Sequence, residues 1–200
     1  MRTASTALLG ALALAAGAAS AGEQIYEPLS ASVQGALSRA VSDRAAPQLA
    51  FARPEDGARW LAAMSGRLAQ RIPDPSTRSE LLKTVHYEAT RAGLDPQLVL
   101  GVMHVESGFR KYAISRAGAR GYMQVMPFWV ELIGRKEHNL FHLRTNLRYG
   151  CTILRHYLDI EKGDLFRALG RYNGALGTAE YPNKVVAAWR GIYRYDGRVH

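Results

Sequence analysis

The chain has 200 residues, 26 Lys and Arg against 17 Asp and Glu for a formal net charge of +9, 48% hydrophobic residues, 22% charged residues and a single cysteine. That balance excludes a wholly disordered or collagen-like polymer, and one cysteine neither closes an intrachain disulfide nor builds a cysteine zinc or iron–sulfur centre. The length predicts one domain, with room for an appendage.

Arg2 opens the chain with a positive charge, and residues 7–19 are only Ala, Leu and Gly. Ala19-Ser20-Ala21 then supplies the small-x-small pattern of a cleavage site, so residues 1–21 are expected to be a secretory signal peptide cut after Ala21. The apolar run is shorter than the roughly 20 residues of a membrane span, so no stable span is expected, and no cysteine follows it to carry a lipid. Export changes how the charge reads. The 21 arginines and 5 lysines are scattered, with no basic run, so nucleic acid is not the expected partner. Outside the cytoplasm the abundant anionic polymers are cell-wall glycans, teichoic acids and lipid head groups.

Downstream, helical periodicity dominates. Leu29, Val33, Leu37 and Val41 recur every four residues, as do Trp60, Met64 and Leu68. Ile72-Pro73-Asp74-Pro75-Ser76 marks the expected boundary, because two closely spaced prolines oppose a continuing helix. Residues 22–75 therefore read as an N-terminal helical extension and residues 76–200 as the main domain. Thr77 and Glu80 have capping-box spacing, ahead of a stripe of Leu81, Leu82, Val85 and Ala89 that Gly93 ends.

Asp95-Pro96 predicts the next helix, with Asp as N-cap and Pro in the first turn. Val99, Val102, Met103 and Glu106 follow at i, i+3, i+4, i+7 and share one face. A glutamate in such a core-facing position should have its pKa raised from about 4.3 toward neutrality, the property a general acid for glycosidic cleavage needs. Ser107-Gly108 then breaks the helix beside a loop. The bland alternative is a Glu paired with a nearby Arg such as Arg110.

Gly118-Ala119-Arg120-Gly121-Tyr122-Met123-Gln124-Val125-Met126-Pro127 follows. Its glycines permit close ligand approach, and a Gln between two Met offers amide hydrogen bonds in an apolar wall, which suits an N-acetylated sugar. Further on, Asp164 caps a helix with Leu165, Ala168, Leu169 and Tyr172 on one face, ended by Asn173-Gly174. A buried Tyr172 needs an acceptor for its hydroxyl: a buried carboxyl is one, a backbone carbonyl another.

Together these residues resemble the soluble lytic transglycosylases, the peptidoglycan-cleaving branch of the lysozyme-like superfamily. The matching pieces are Glu106-Ser107-Gly108-Phe109, Ser115 followed by Ala117-Gly118-Ala119, Gly121-Tyr122-Met123-Gln124-Val125-Met126-Pro127, Asn146-Leu147-Arg148-Tyr149-Gly150 and Arg171-Tyr172-Asn173-Gly174. The resemblance covers residues 80–195 and implies a mostly α, lysozyme-like transglycosylase domain behind the N-terminal extension. It implies Glu106 as the single general acid and base, cleaving the bond after N-acetylmuramic acid to give a 1,6-anhydro sugar. By the same likeness Ser115 and Gln124 hold the N-acetyl group, Met126 lines the wall, Tyr172 hydrogen-bonds Glu106, Asn173 shapes the cleft and Ser107 belongs to the substrate-binding set. Tyr122 stands where the family usually has Leu, and His104, two residues before the acid, is also unusual.

Ordinary glycosidases use two carboxylates about 5 to 9.5 Å apart. No Asp or Glu lies between Glu106 and Glu131, which favours one acid, although Glu131, Glu137, Asp159 and Asp164 could reach the site through folding. No metal or other cofactor is expected. His138 and His142 lack the intervening Glu of a metalloprotease helix, and His104-Val105-Glu106 lacks the cysteine pair of a zinc deaminase. Cys151 lies on a stripe with Leu147, Leu154 and Leu158 and reads as a small buried hydrophobe. The competing functions are a goose-type lysozyme-like hydrolase and a catalytically silent peptidoglycan-binding scaffold. The expected partner is the glycan strand, in the periplasm, and no residue names a protein partner in the envelope.

Overall fold

The computed structural model describes residues 24–42, 47, 49 and 51–197, so the predicted leader lies outside the described residues. Within them the chain forms α1 (Ala31–Ser42), α2 (Pro54–Leu68), α3 (Pro75–Arg91), α4 (Pro96–Glu106), α5 (Phe128–Ile133), α6 (Leu143–Ile160), α7 (Leu165–Tyr172) and α8 (Glu180–Ala187), which runs on into a π-helical turn at Ala188–Ile192. The mostly α class agrees with the helical periodicity. None of the described helices is long and apolar enough to cross a membrane.

Aspartates set three of the helix starts. Asp95 accepts from the Gln97 N–H at 2.7 Å with Pro96 opening α4, and Asp164 accepts from the Arg167 N–H at 3.0 Å, both as the sequence predicts. α3 corrects the expected Thr77–Glu80 capping box. Its cap is Asp74, which accepts from the Thr77 N–H at 2.7 Å and from the hydroxyls of Thr77 and Ser76. Proline lacks an N–H and has a fixed φ, so Pro75 opens this helix at its first position.

α4 is the axis of the fold. Residues 98–103 are all buried, with α3, α8 and the π-helical turn packed around them. Gly101 lets α8 approach: a Cβ there would lie 3.0 Å from the Val185 carbonyl oxygen. The single apolar stripe expected on α4 is therefore a helix enclosed on all sides. What distinguishes Glu106 is that the helix stops there. One continuous apolar core joins Leu37 and Val41 of α1, Trp60, Met64 and Leu68 of α2, and Leu81, Leu82 and Val85 of α3. The stripe of Leu147, Cys151, Leu154 and Leu158 is buried in α6, and burial pushes the Cys151 thiol far above its ordinary range. Beside it the fully buried Glu88 takes Arg148 at 2.8 Å, Arg91 at 2.9 Å and Arg144 at 3.4 Å.

Candidate active site

Helix α4 ends because the chain turns sharply after Glu106. Gly108 and Phe109 both have left-handed backbones, φ +58° and +68°. Phe109 is held in that costly conformation by edge-on packing against His104 and Tyr193, centroids 6.4 and 6.0 Å away. Ser107 ties the turn to the next loop: its hydroxyl donates to the Tyr122 carbonyl at 2.7 Å and accepts from the Phe109 N–H at 3.2 Å. Ser107 is thus a buried brace behind the cleft, and its hydroxyl is committed to the backbone.

The loop after α4 folds back through two isolated antiparallel bridges, Ile114 to Arg120 and Arg120 to Val125. Gly121, at φ +75°, sits where a Cβ would meet the Asn146 amide nitrogen at 2.5 Å and the Leu140 carbonyl at 2.6 Å. Only glycine fits there. Asn146 lies one turn inside α6, which begins at Leu143. Its side chain staples the loop, donating to the carbonyls of Arg120 and Leu140 and accepting from the Met123 N–H, all at 2.8 Å. Gln124 keeps a left-handed backbone, φ +47°, that a non-glycine residue holds only at a cost. Its side-chain nitrogen donates to the carbonyls of Gly121 at 2.8 Å and Ala113 at 3.2 Å.

The role expected of Tyr172 falls to a different tyrosine. Tyr172 is fully buried, and its hydroxyl donates to the Met123 carbonyl at 2.7 Å, the backbone alternative. The hydroxyl on Glu106 belongs to Tyr181, which donates to Oε1 at 2.6 Å. The physical reason is position: Tyr172 lies under the loop wall, whereas Tyr181 enters from the first turn of α8, which packs on α4.

A pocket of about 300 Å³ opens at this point, and Glu106, Ser115, Gln124 and Asn173 line it together with Val105, Thr178, Glu180, Tyr181 and Lys184. Four of the seven residues singled out from the sequence thus meet on one cavity. Ser107, Met126 and Tyr172 are not in its lining. Met126 packs partly buried against the core, and the other two are spent on backbone carbonyls. Burial raises the Glu106 carboxyl to about 8, against the opposing effect of the Tyr181 hydrogen bond. With Oε1 accepting from Tyr181, Oε2 is the atom left to carry the proton. His104 is engaged elsewhere, Nδ1 at 3.0 Å from the Tyr193 hydroxyl and Nε2 at 3.3 Å from Arg71. An arginine only donates, so Nε2 accepts and the ring is neutral, as burial and the Arg71 charge also favour.

The sequence reading missed Tyr181, Glu180, Lys184, Thr178 and Val105. A signal for Tyr181 was present: with Val185 and Ala188 it forms an i, i+4, i+7 stripe, and all three are buried. Of the second carboxylates weighed, Glu131, Glu137, Asp159 and Asp164 are absent from the pocket lining, and the one there is Glu180. It is 77% exposed and pairs with Lys184 at 2.6 Å, whose hydrogen bond and charge hold its carboxyl low. Among the described residues no three or more His, Cys, Asp or Glu side chains gather as a metal site, and His138 meets the Tyr149 hydroxyl at 2.6 Å.

A helical domain whose central helix ends in a protonated glutamate on an open pocket defines a candidate acid–base site. The family model described as the transglycosylase SLT domain matches residues 83–188, more than half of the chain, and the chain belongs to that family. It is similar to the transglycosylase of Enterobacteria phage PRD1, 33% identical over 124 residues that cover 58% of this chain and 46% of that protein. It is also similar to the membrane-bound lytic murein transglycosylase C of Actinobacillus pleuropneumoniae serotype 5b, 50% identical over 48 residues, 24% of this chain and 13% of that one. A solved structure of an inactive mutant of the lytic transglycosylase Slt from Pseudomonas aeruginosa shares 21% identity, covers 73% of this chain and 28% of its own, and gives a TM-score of 0.43. The chain thus spans less than half the length of each of these proteins.

Proposed function

We propose that this protein is a peptidoglycan lytic transglycosylase that cleaves the β-1,4 bond between N-acetylmuramic acid and N-acetylglucosamine, with Glu106 as its one acid and base. The observation that carries the reading is a carboxyl raised to about 8 on an open pocket, with Tyr181 on one oxygen and the other left to hold a proton. In the first step Oε2–H protonates the glycosidic oxygen, the C1–O bond breaks, and N-acetylglucosamine leaves as an alcohol. Positive charge develops at C1 of the muramic residue, facing the carboxylate just formed. In the second step that carboxylate takes the proton of the same sugar's 6-hydroxyl while O6 bonds to C1. Glu106 ends protonated, no water is consumed, and the product is a 1,6-anhydro sugar.

The roles of the remaining residues follow from what each has left to offer. Gln124 has committed its nitrogen to the backbone, so its side-chain oxygen serves the sugar's N-acetyl N–H. Ser115 accepts from the Ala119 N–H at 3.1 Å, which leaves its hydroxyl proton to donate to the acetyl carbonyl. Asn173 shapes the far wall. Met126 and Tyr172 act from behind the pocket by supporting this loop. Residues 1–21 act as the export signal and place the enzyme in the periplasm, and residues 22–75 are its N-terminal extension.

Muropeptides released from purified sacculi test the reading by mass. Fragments ending in anhydro-muramic acid are one water lighter than hydrolysis products, and Glu106→Gln should release none while still binding sacculi. The hydrolase alternative has one observation in its favour, the ionised Glu180 on the same pocket. Reducing ends would establish it. A folded, sacculus-binding wild type that releases nothing would point to the scaffold.

A further inference from the structure

We propose that Gln24 is a positioning residue for the wall of the cleft, its primary amide serving as the missing strand beside residues 124–126. The inference rests on the glycan-cleavage reading for its effect on turnover, and on geometry alone for its effect on the loop.

The backbone of Val125 is satisfied on one edge. Its carbonyl accepts from the Arg120 N–H and its N–H donates to the Arg120 carbonyl, both at 3.0 Å. In a trans peptide unit the carbonyl and the N–H point opposite ways, so the Gln124 carbonyl, paired with the Val125 N–H, and the Met126 N–H, paired with the Val125 carbonyl, face away from Arg120. Those are the two groups Gln24 takes. Its Nε2 donates to the Gln124 carbonyl at 3.0 Å, and its Oε1 accepts from the Met126 N–H at 2.9 Å. A primary amide presents one of its two N–H groups on the same side as its C=O, so it closes a two-bond ladder without a strand. Gln24 is 3% exposed, although it stands some hundred residues from its partners in the chain.

The rest of the N-terminal segment holds Gln24 in place. The Tyr26 ring meets Phe128 edge-on at 5.6 Å and Glu27 pairs with Arg171 at 3.0 Å, while the exposed Gln34 of α1 donates to the Leu132 carbonyl at 2.6 Å outside this clasp. The residue pinned by Gln24 is also the strained one, Gln124, which lines the pocket. A strained backbone persists only where its surroundings over-determine it. Gln24 supplies one of those constraints from outside the loop, and so sets where the Gln124 side chain stands relative to Glu106.

The test uses the full mature chain with Gln24→Ala, Gln24→Glu and, as a matched control in the same segment, Gln34→Ala. In Gln24→Ala, exchange of the Met126 amide hydrogen should rise about tenfold, the scale of one to two lost hydrogen bonds, with α4 amides unchanged. KM for soluble glycan fragments should also rise about tenfold while kcat changes little, and Gln34→Ala should move neither. Gln24→Glu supplies the conservative rescue. Protonated, its carboxyl donates to the Gln124 carbonyl and accepts from the Met126 N–H as the amide does, and ionised it loses the donor. Its activity relative to wild type at the same pH should therefore approach one in acid and fall as pH rises. If Gln24→Ala leaves Met126 exchange unchanged, or shifts KM no more than Gln34→Ala does, the inference is wrong. Should the wild type prove inactive on glycans, the cleavage reading fails by itself, and the inference is decided by Met126 exchange and by affinity for N-acetylglucosamine oligomers, which Gln24→Ala should weaken about tenfold.

Discussion

Replacing Glu106 with Gln should stabilise the protein, and by more as pH rises. In the native state burial holds the carboxyl at about 8 instead of the ordinary 4.5, while in the unfolded chain it titrates at the ordinary value. Between those two pH values the native state binds the extra proton, so stability falls as pH rises through the interval. Below about pH 4.5 the carboxyl costs nothing, and above about pH 8 the loss is complete. The penalty is under about 1 kcal/mol at pH 5 and about 3 kcal/mol at pH 7. Glutamine has nearly the same shape, is neutral, and keeps an oxygen to accept from Tyr181, so the variant carries none of this penalty. Since about 1 kcal/mol moves Tm by roughly 2–4 °C at this size, the variant's advantage should grow from about 2 °C at pH 5 to roughly 6–12 °C at pH 7. Scanning calorimetry of both proteins across that range measures it, because every other titrating group cancels in the comparison. A difference that stays constant with pH, or a wild type more stable at pH 7, would refute the argument that Glu106 is held protonated by burial.

The two tyrosines should separate cleanly. Tyr181→Phe removes the hydrogen bond that lowers the Glu106 pKa, so the alkaline limb of the kcat/KM profile should move to higher pH and kcat should fall about tenfold. Tyr172→Phe should leave that limb in place and cost about 1–3 kcal/mol in denaturant unfolding, because the Met123 carbonyl loses its buried donor. Glu180→Gln should still yield anhydro ends in the muropeptide assay, and a wild type giving reducing ends that the variant no longer produces would make Glu180 a water-activating base. Glu88→Ala should cost about 3–5 kcal/mol by chemical denaturation, since it removes the buried carboxylate that Arg148, Arg91 and Arg144 share.

What could be read from the sequence follows the range of the interaction. The caps at Asp95 and Asp164 are legible because each cap and the N–H that donates to it lie within three residues. The Thr77–Glu80 reading of α3 failed within the same short range, because Pro75 favours the first helical position and makes Asp74 the cap. Glu106 was legible as the odd carboxyl at the end of an apolar helix, although one stripe understated a helix buried on every side. Its partner was not. Tyr172 ends one apolar stripe and Tyr181 heads another, and only the packing of α8 on α4 settles which hydroxyl reaches a carboxyl 75 residues away from Tyr181.

Gln24 marks the limit of that reasoning. Nothing in its neighbourhood distinguishes it from a solvated glutamine, because both of its partners are backbone groups and any residue type presents those. Its place depends on α4, α6 and the loop between them, where one edge of residues 124–126 is filled by Arg120 and the other is left to Gln24. The chemistry at Glu106 thus depends on contacts of two kinds. Burial of α4 raises the carboxyl, and that much is encoded locally. The hydroxyl and the loop wall that aim it come from Tyr181 and Gln24, one far downstream and one far upstream; the stripe that Tyr181 heads does not name its carboxyl, and no local pattern marks Gln24.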